Sequence, residues 1–205
     1  PVVKSMSLFR TDSATLLIKA TENISWLGAF FLSFSTRTAG FSTYPLSNFS
    51  SAGLLVVIIL MFIGASPGST GGGIKTSTFF VLLQGIKSAA TNKSEKAFHY
   101  AVPKNAFRKA AIITAIGAAI VLTGTYIMLV LQPELSFIDV FFEITSAFST
   151  SGLSTGITQQ LGIGAKLLSI IIMYSGRLGP LRIVTVWYFS KGERVSYPEG
   201  NISVG

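Results

Sequence analysis

A run of 22 residues without a charged side chain, from Ala110 to Leu131, most constrains what this chain can fold into. At about 1.5 Å per residue, a helix of that length covers roughly 33 Å, which is enough to cross a hydrocarbon core about 30 Å thick. The run follows Lys109 and ends shortly before Pro133. It therefore predicts a transmembrane helix in preference to the buried helix of a water-soluble domain.

The composition of the 205-residue chain also favours a membrane environment. Charged residues make up 12% of the chain and hydrophobic residues 49%, whereas about a quarter of a soluble domain is charged. The net charge is +8, but Lys and Arg flank the apolar runs instead of interleaving with aromatic residues. This placement indicates orientation in the lipid bilayer and argues against a nucleic-acid partner. The absence of cysteine from the sequence excludes disulfides and thiolate metal sites.

Two other apolar runs are interrupted near their middles, and two are short. The run from Ala52 to Ala65 breaks at residues 66–73 and resumes around Phe79 to Ile86, while the run from Leu167 to Phe189 contains Arg177 and a Gly-Pro pair. The short stretches have about three helical turns each, a length that suits re-entrant half-helices better than membrane spans. These stretches are Ile24 to Phe34 and Phe137 to Phe148.

The distribution of basic residues predicts the orientation of the chain. The segment from Lys87 to Lys109 carries six Lys or Arg residues against one Glu, and the tail after the last run carries Lys191 and Arg194. The turn after Leu131 carries Glu134 and no basic residue. By the positive-inside rule, the basic segment and the C-terminal tail are cytoplasmic and the turn is external.

The chain contains an internal repeat with an offset of 112 residues. This offset places Thr38–Thr43 on Thr150–Thr155, and it also places Gly64 on Gly176. Each copy consists of a half-helix, a Thr-x-Gly-apolar-Ser-Thr loop and a broken span. Both copies run in the same direction through the membrane, so the repeats are parallel.

The repeated loops have the properties of an ion-selectivity filter. Irregular backbone at membrane depth is tolerated only where it is buried in protein or lines a water-filled path. A half-helix directs its carbonyl end, equivalent to roughly half a negative charge, at the loop, and the loop carbonyls can replace the hydration shell of a cation. The predicted filter consists of Thr38, Ala39, Gly40, Phe41, Thr150, Ser151, Gly152 and Leu153, with K⁺ held by the backbone carbonyls of Thr38, Ala39, Gly40, Thr150, Ser151 and Gly152.

The break in the first span predicts a gating loop beneath the filter, because proline and several glycines disfavour a continuous helix. A phosphate-binding loop is excluded by Ile74, which separates the last glycine from Lys75. Arg177, the predicted intramembrane charge, is either a tether to backbone carbonyls or a gating charge, and Glu143 is either a hydrogen-bonded brace or a cation attractor. The predicted gating loop consists of Ser66, Pro67, Gly68, Ser69, Thr70, Gly71, Gly72, Gly73 and Lys75.

Several segments resemble the Ktr/Trk/HKT superfamily of potassium transporters, and bacterial Ktr-type membrane subunits in particular. Ser35–Phe41 and Ser146–Gly156 are similar to its third and fourth filter loops, Gly64–Thr76 to the signature of the helix after the third loop, and Gly176–Leu181 to the break in its last helix. The ending, residues 197–200, is similar to the short tail of Ktr membrane subunits. The resemblance implies four helix–pore-helix–helix repeats around one pore, of which this chain carries the third without its first helix and the complete fourth.

We therefore predict an all-α integral membrane protein of the cytoplasmic membrane, built from parallel helix–pore-helix–helix repeats with re-entrant filter loops and broken spanning helices. The predicted divisions are a linker or divergent N-terminal segment (1–21), the third pore repeat (22–90), a cytoplasmic basic loop (91–109), the fourth pore repeat (110–190) and a cytoplasmic tail (191–205).

The predicted function is uptake of K⁺, with no enzymatic activity and no covalently bound cofactor. Translocation of Na⁺, or of both ions, by the same fold remains an alternative. An alternative of another class is a secondary transporter with broken helices, although such transporters often contain inverted repeats. The resemblance further implies a homodimer and a cytosolic nucleotide-binding regulatory ring of the KtrA/TrkA type.

Overall fold

The described part of the chain is built almost entirely of α-helices. The computed structural model describes residues 26–37, 39–91, 96–97, 100–101 and 104–179. Within these residues the helices are α1 (Trp26–Ser35), α2 (Ser51–Phe62), α3 (Thr76–Thr91), α4 (Lys104–Leu131), α5 (Phe137–Ser149) and α6 (Ile163–Leu178). Short 3₁₀ turns lie at Leu46–Asn48 and Ile157–Gln160, and an antiparallel pair of two-residue strands, β1 (Lys96–Ala97) and β2 (Tyr100–Ala101), separates α3 from α4.

Helix α4 contains the predicted membrane-spanning run and begins six residues before it, at Lys104. Among the described residues, its portion Asn105–Leu131 is the one helix long and apolar enough to cross a membrane. Large apolar side chains such as Leu122, Tyr126 and Val130 are exposed on its surface. An exposed apolar surface on a helix of this length fits hydrocarbon better than water.

The two short apolar stretches form the helices α1 and α5, of 10 and 13 residues. Their bounds agree with the sequence-based stretches to within two residues. At about 1.5 Å per residue, neither is long enough to cross a bilayer alone. In α5 the first turn carries Asp139, a position where a carboxylate interacts favourably with the helix dipole.

The interrupted runs form helices that end at or a few residues before the predicted breaks. Helix α2 is capped at its start by the Ser50 hydroxyl, which accepts a hydrogen bond from the Gly53 N–H at 3.1 Å. It ends at Phe62, and the chain becomes helical again only at Thr76. Helix α6 ends at Leu178 and is followed by Gly179 with φ +83°. The remainder of the last predicted span, from Pro180, lies outside the described residues, as does the tail.

Helix α5 forms the centre of the fold. It packs against α2, α4 and α6, while α4 also packs against α3 and α6. The side chains of Val140, Phe142, Ile144 and Phe148 are fully buried. The core therefore surrounds a helix that is too short to span the membrane and that supports the second predicted filter loop at its C-terminal end.

The C-terminal end of α5 is approached closely by backbone from two other segments. A Cβ atom on Gly176 would lie 1.8 Å from the carbonyl oxygen of Phe148, and one on Gly72 would lie 2.8 Å from the same oxygen. The ring of Phe148 stacks on Phe62, with centroids 6.0 Å apart. Glycine is required at Gly176, since any side chain there would separate α6 from α5.

We expect Gly176→Ala to lower the free energy of unfolding by about 1–3 kcal/mol, because the added methyl group overpacks the contact with Phe148. Gly164→Ala is a matched control in the same helix, since its Cβ would meet nothing closer than Leu131 at 3.9 Å. Thermal unfolding of the full-length protein in detergent measures both changes. Equal destabilisation by the two variants would contradict the close approach.

Candidate functional site

The first glycine loop, residues 36–43, folds back on the end of α1 through Ser35. The Ser35 carbonyl accepts hydrogen bonds from the N–H groups of Ala39 and Gly40, at 3.1 and 3.2 Å. The Ser35 hydroxyl donates to the carbonyl of Phe41. Thr38, the remaining residue predicted for this half of the filter, lies outside the described residues. One serine therefore holds both ends of the turn that contains Gly40.

The second glycine loop, residues 150–156, is held by Ser146 in the same manner. The Ser146 hydroxyl donates to the carbonyl of Leu153 at 2.5 Å, and its own carbonyl accepts from the N–H of Ser151 at 3.0 Å. Thr150, which begins the loop, has φ +53°. The serine and its acceptor are seven residues apart here and six residues apart in the first loop. The two loops thus share one hydrogen-bonding plan, but the spacing between the serine and its acceptor differs by one residue.

The two glycine loops contact each other through their backbones. Gly40 has φ +73° and Gly152 has φ +86°. A Cβ on Gly40 would lie 2.4 Å from the carbonyl oxygen of Ser151, and one on Gly152 would lie 3.6 Å from the Cα of Gly40. The Ser151 hydroxyl donates to the carbonyl of Thr36 at 3.0 Å and ties the loops together. Both glycines are required by their positive φ angles, and Gly40 also by the close approach.

The structure brings only part of the predicted filter together. Gly40, Ser151 and Gly152 meet, whereas the side chain of Phe41 is exposed and that of Leu153 is buried in the core around α2. Among the described residues, no group of three or more His, Cys, Asp or Glu side chains could hold a metal ion. The oxygens presented at the contact between the loops belong to the neutral backbone and to hydroxyl groups.

The glycine-rich segment, residues 63–75, forms a loop whose two ends are hydrogen-bonded to each other. The N–H of Gly64 donates to the carbonyl of Ile74 at 2.8 Å, and the N–H of Ile74 donates to the carbonyl of Phe62 at 3.1 Å. A further bond of 3.3 Å joins the N–H of Thr76 to the carbonyl of Ala65. The segment therefore leaves and rejoins the helical path at nearly the same point, as predicted for a loop that interrupts a span.

Lys75 ties the glycine-rich segment to itself. Its Nζ donates to the carbonyl of Gly71 at 2.6 Å and to the carbonyl of Ser69 at 3.1 Å. The intervening tip, residues 66–70, is exposed, whereas residues 72–74 at its base are buried. The Lys75 ammonium group thus bonds the backbone oxygens of two residues and connects the tip of the segment to its base.

The glycine-rich segment is joined to the second glycine loop by one hydrogen bond. The N–H of Gly72 donates to the hydroxyl of Thr150 at 2.8 Å. The two residues are 78 positions apart in the chain, and no local pattern in the sequence indicates that they meet. The sequence predicts both segments but not the contact between them.

Arg177 lies in the last turn of α6, next to the glycine that packs on Phe148. Its side chain is exposed within the described part of the chain. Its positive charge lies within electrostatic range of Lys75. Lys75, the cationic residue of the predicted gating loop, is therefore influenced by the charge of Arg177.

Comparison with protein-family models matches residues 5–191 to TrkH, described as a cation transport protein. The chain belongs to this family. Its members are membrane cation transporters and not enzymes, so both the predicted family and the predicted lack of enzymatic activity are confirmed.

Curated relatives give the same assignment. The chain is 38% identical over 186 residues to the Ktr system potassium uptake protein B of Vibrio alginolyticus, covering 90% of this chain and 41% of the relative. It is 35% identical to the Ktr system potassium uptake protein D of Bacillus subtilis, covering 88% and 41%. It is 33% identical to the potassium/sodium uptake protein NtpJ of Enterococcus hirae, covering 92% and 44%. The chain spans less than half the length of these relatives.

The fold is similar to that of a solved membrane protein. The crystal structure of the potassium transporter TrkH from Vibrio parahaemolyticus matches with a TM-score of 0.65 and 20% sequence identity, covering 79% of this chain and 37% of that structure. At this identity the likeness establishes the fold alone, which is mostly helical.

We expect Thr150→Val to release the glycine-rich segment from the second glycine loop. The substitution keeps the shape of the side chain but removes the acceptor for the Gly72 N–H, so hydrogen exchange of that amide should accelerate about tenfold. Thr125→Val is the matched control, because the buried Thr125 hydroxyl donates to the carbonyl of Val121 within α4, away from the glycine-rich segment in the chain. Unchanged exchange at Gly72 in the Thr150 variant would show that the contact does not hold the segment.

Proposed function

We propose that the protein containing this chain takes up K⁺ across the cytoplasmic membrane. In this proposal the two glycine loops form part of a selectivity filter, and the glycine-rich segment is its gate. The observation that carries the proposal is the direct backbone contact of Gly40 with Ser151 and Gly152, at the C-terminal ends of two half-helices. The family membership and the relatives named as potassium uptake proteins support it.

The filter would select by carbonyl coordination. The C-terminal ends of α1 and α5 each contribute roughly half a negative charge near the loops. Neutral oxygens in that field can replace the hydration shell of K⁺ without binding it so strongly that it cannot leave. The serine hydrogen bonds of Ser35 and Ser146 keep the loop carbonyls in place. We assign K⁺ coordination to the backbone carbonyls of Thr38, Ala39, Gly40, Thr150, Ser151 and Gly152.

The gate would be the glycine-rich segment, held shut by a few polar contacts. The bond from Gly72 to Thr150 places the segment against the second glycine loop, and Lys75 fastens its tip to its base. Each such hydrogen bond contributes only about 0.5–1.5 kcal/mol net, or roughly double that for a charged donor. A gate held by so few bonds can open without unfolding the core around α5. Lys75 and Arg177 add positive charge that opposes cation passage.

Two features of the whole protein extend the proposal. We assign residues 22–90 and 110–190 to two pore repeats, with residues 1–21 as a linker and the basic segments 91–109 and 191–205 facing the cytoplasm. A homodimer regulated by a cytosolic nucleotide-binding ring is proposed from the resemblance to Ktr systems.

Transport of Na⁺, alone or together with K⁺, is the second candidate function. It is favoured by the 33% identity to a relative named as a potassium/sodium uptake protein. The same backbone oxygens would serve either ion. A secondary transporter with broken helices agrees less well with the two parallel copies of the glycine loop.

Substitution of the filter glycines tests the proposed ion selectivity. Gly40→Ser and Gly152→Ser are expected to lower the preference for K⁺ over Na⁺ about tenfold, since a side chain at positive φ costs roughly 1–2 kcal/mol and displaces the loop carbonyls. Uptake of both ions by the full-length protein, in cells that lack their own potassium transporters, is the measurement. Gly179→Ser is the control, because Gly179 also has a positive φ (+83°) and no atom within 4 Å of an added Cβ, but lies outside both glycine loops. If both filter variants reach the membrane at normal levels and keep their selectivity, the glycine loops do not form the filter.

Changes in the glycine-rich segment test the proposed gate. Deleting residues 68–72, or replacing Lys75 by Met, should raise cation flux severalfold and weaken regulation, because either change removes the contacts that hold the tip. Lys87→Met is the matched control, since Lys87 is exposed on α3 and its side chain lies far along the chain from the segment. If both variants reach the membrane and conduct with unchanged rate and regulation, the segment is only a structural break.

A further inference from the structure

A series of hydrogen-bonded polar residues connects α5 to the C-terminal end of the second glycine loop. The carboxylate of Glu143, a residue 8% exposed, accepts a hydrogen bond from the Thr158 hydroxyl through Oε1. The Thr158 hydroxyl lies 2.8 Å from that of Ser154. The Ser154 hydroxyl in turn accepts from the N–H of Gly156 at 2.9 Å. These four residues, the polar brace, join the half-helix to the backbone immediately after the filter.

The corresponding positions in the first repeat are apolar. Leu32 precedes Ser35 by three residues, as Glu143 precedes Ser146. Leu46 follows Phe41 by five residues, as Thr158 follows Leu153. Leu32 and Leu46 are 6% and 3% exposed and belong to the same buried apolar cluster. The first loop is thus supported by apolar packing at the positions where the second loop is supported by hydrogen bonds.

Packing alone does not support the second loop in the way that it supports the first. A cavity of about 510 Å³ borders the second loop, and its lining includes Glu143, Gly152, Ser154, Thr158 and Lys166. The lining also contains apolar residues such as Leu161 and Met173, but Thr158 itself is exposed, so an apolar side chain at that position would be only partly buried and dispersion would hold the backbone weakly. A hydrogen bond fixes distance and direction even beside a cavity.

The polar brace is unfavourable for stability taken by itself. Oε2 of Glu143 is buried and has no hydrogen-bond partner among the described residues. A buried carboxylate whose second oxygen is unpaired loses more hydration than its remaining hydrogen bonding returns, and well-packed apolar residues at such sites are often at least as stable. The polar brace therefore fixes the position of the loop backbone but does not stabilise the fold.

We propose that Glu143 is a positioning residue for the filter, acting through Thr158 and Ser154 to hold the carbonyls around Gly152 at the distance that suits K⁺. The hydrogen bond, and not the negative charge, produces the effect. This proposal rests on the proposed function, because it assumes that the second glycine loop coordinates the transported ion.

The test is K⁺ and Na⁺ uptake by full-length variants. Glu143→Leu and Thr158→Val should each lower the K⁺ preference about tenfold, mainly by raising KM for K⁺, since each removes the same bond. Glu143→Gln should stay within about twofold of the unmodified protein, because the amide oxygen still accepts from Thr158. Combining Glu143→Leu with Thr158→Leu introduces the residue pair found at Leu32 and Leu46 and should restore part of the preference lost in either single variant.

Hydrogen exchange in the purified protein gives a second readout that does not depend on transport. Thr158→Val should accelerate exchange of the Gly156 amide about tenfold, whereas Leu46→Val in the first repeat should leave it unchanged. If full-length protein takes up no K⁺, the proposed function fails, and the exchange result still decides whether the brace holds the loop. The inference is overturned if Thr158→Val alters neither readout while Glu143→Gln is as harmful as Glu143→Leu, for the charge itself would then act on the cation.

Discussion

The close approach of backbone to the Phe148 carbonyl, at the C-terminal end of α5, is the constraint on which the rest of the structure depends. Gly176 places α6 against this oxygen, and Gly72 places the base of the glycine-rich segment against it. The ring of the same residue stacks on Phe62, where α2 ends. Segments from both repeats are therefore positioned relative to a single turn of helix, directly before the second glycine loop. A displacement of this turn would move the proposed filter and the proposed gate together.

The two glycine loops share a plan but differ in what holds them. In each, a serine hydroxyl bonds the backbone beyond the glycine. Among the described residues, only the second loop is bonded to the glycine-rich segment, through Thr150, and only the second is backed by the carboxylate of Glu143. The first loop rests on an apolar cluster that includes Leu32 and Leu46. In our proposal the first loop is thus held rigidly in one position. The second loop contacts the proposed gate, so gating and selectivity can influence each other there.

Much of the fold could be predicted because long uncharged runs and clusters of glycine and proline are local signals. They located α1, α4 and α5 and the break after Phe62, and the offset of 112 residues paired Gly40 with Gly152. The contact between Gly72 and Thr150 could not be predicted, since it depends on how α5 packs among its neighbours. The sequence also leaves open whether Arg177 is a tether or a gating charge, and it does not show that the Lys75 ammonium group bonds the carbonyls of Ser69 and Gly71. The strand pair between α3 and α4 had no signal in a segment predicted as a basic loop.

The unequal spacing of the serine contacts has a consequence for symmetry. Serine and acceptor are six residues apart in one loop and seven in the other, so no rotation superimposes the two loops atom for atom. An ion between these loops would meet an uneven arrangement of ligands, unlike the equal set that identical subunits provide. Each loop can then be altered by mutation without an equivalent change in the other.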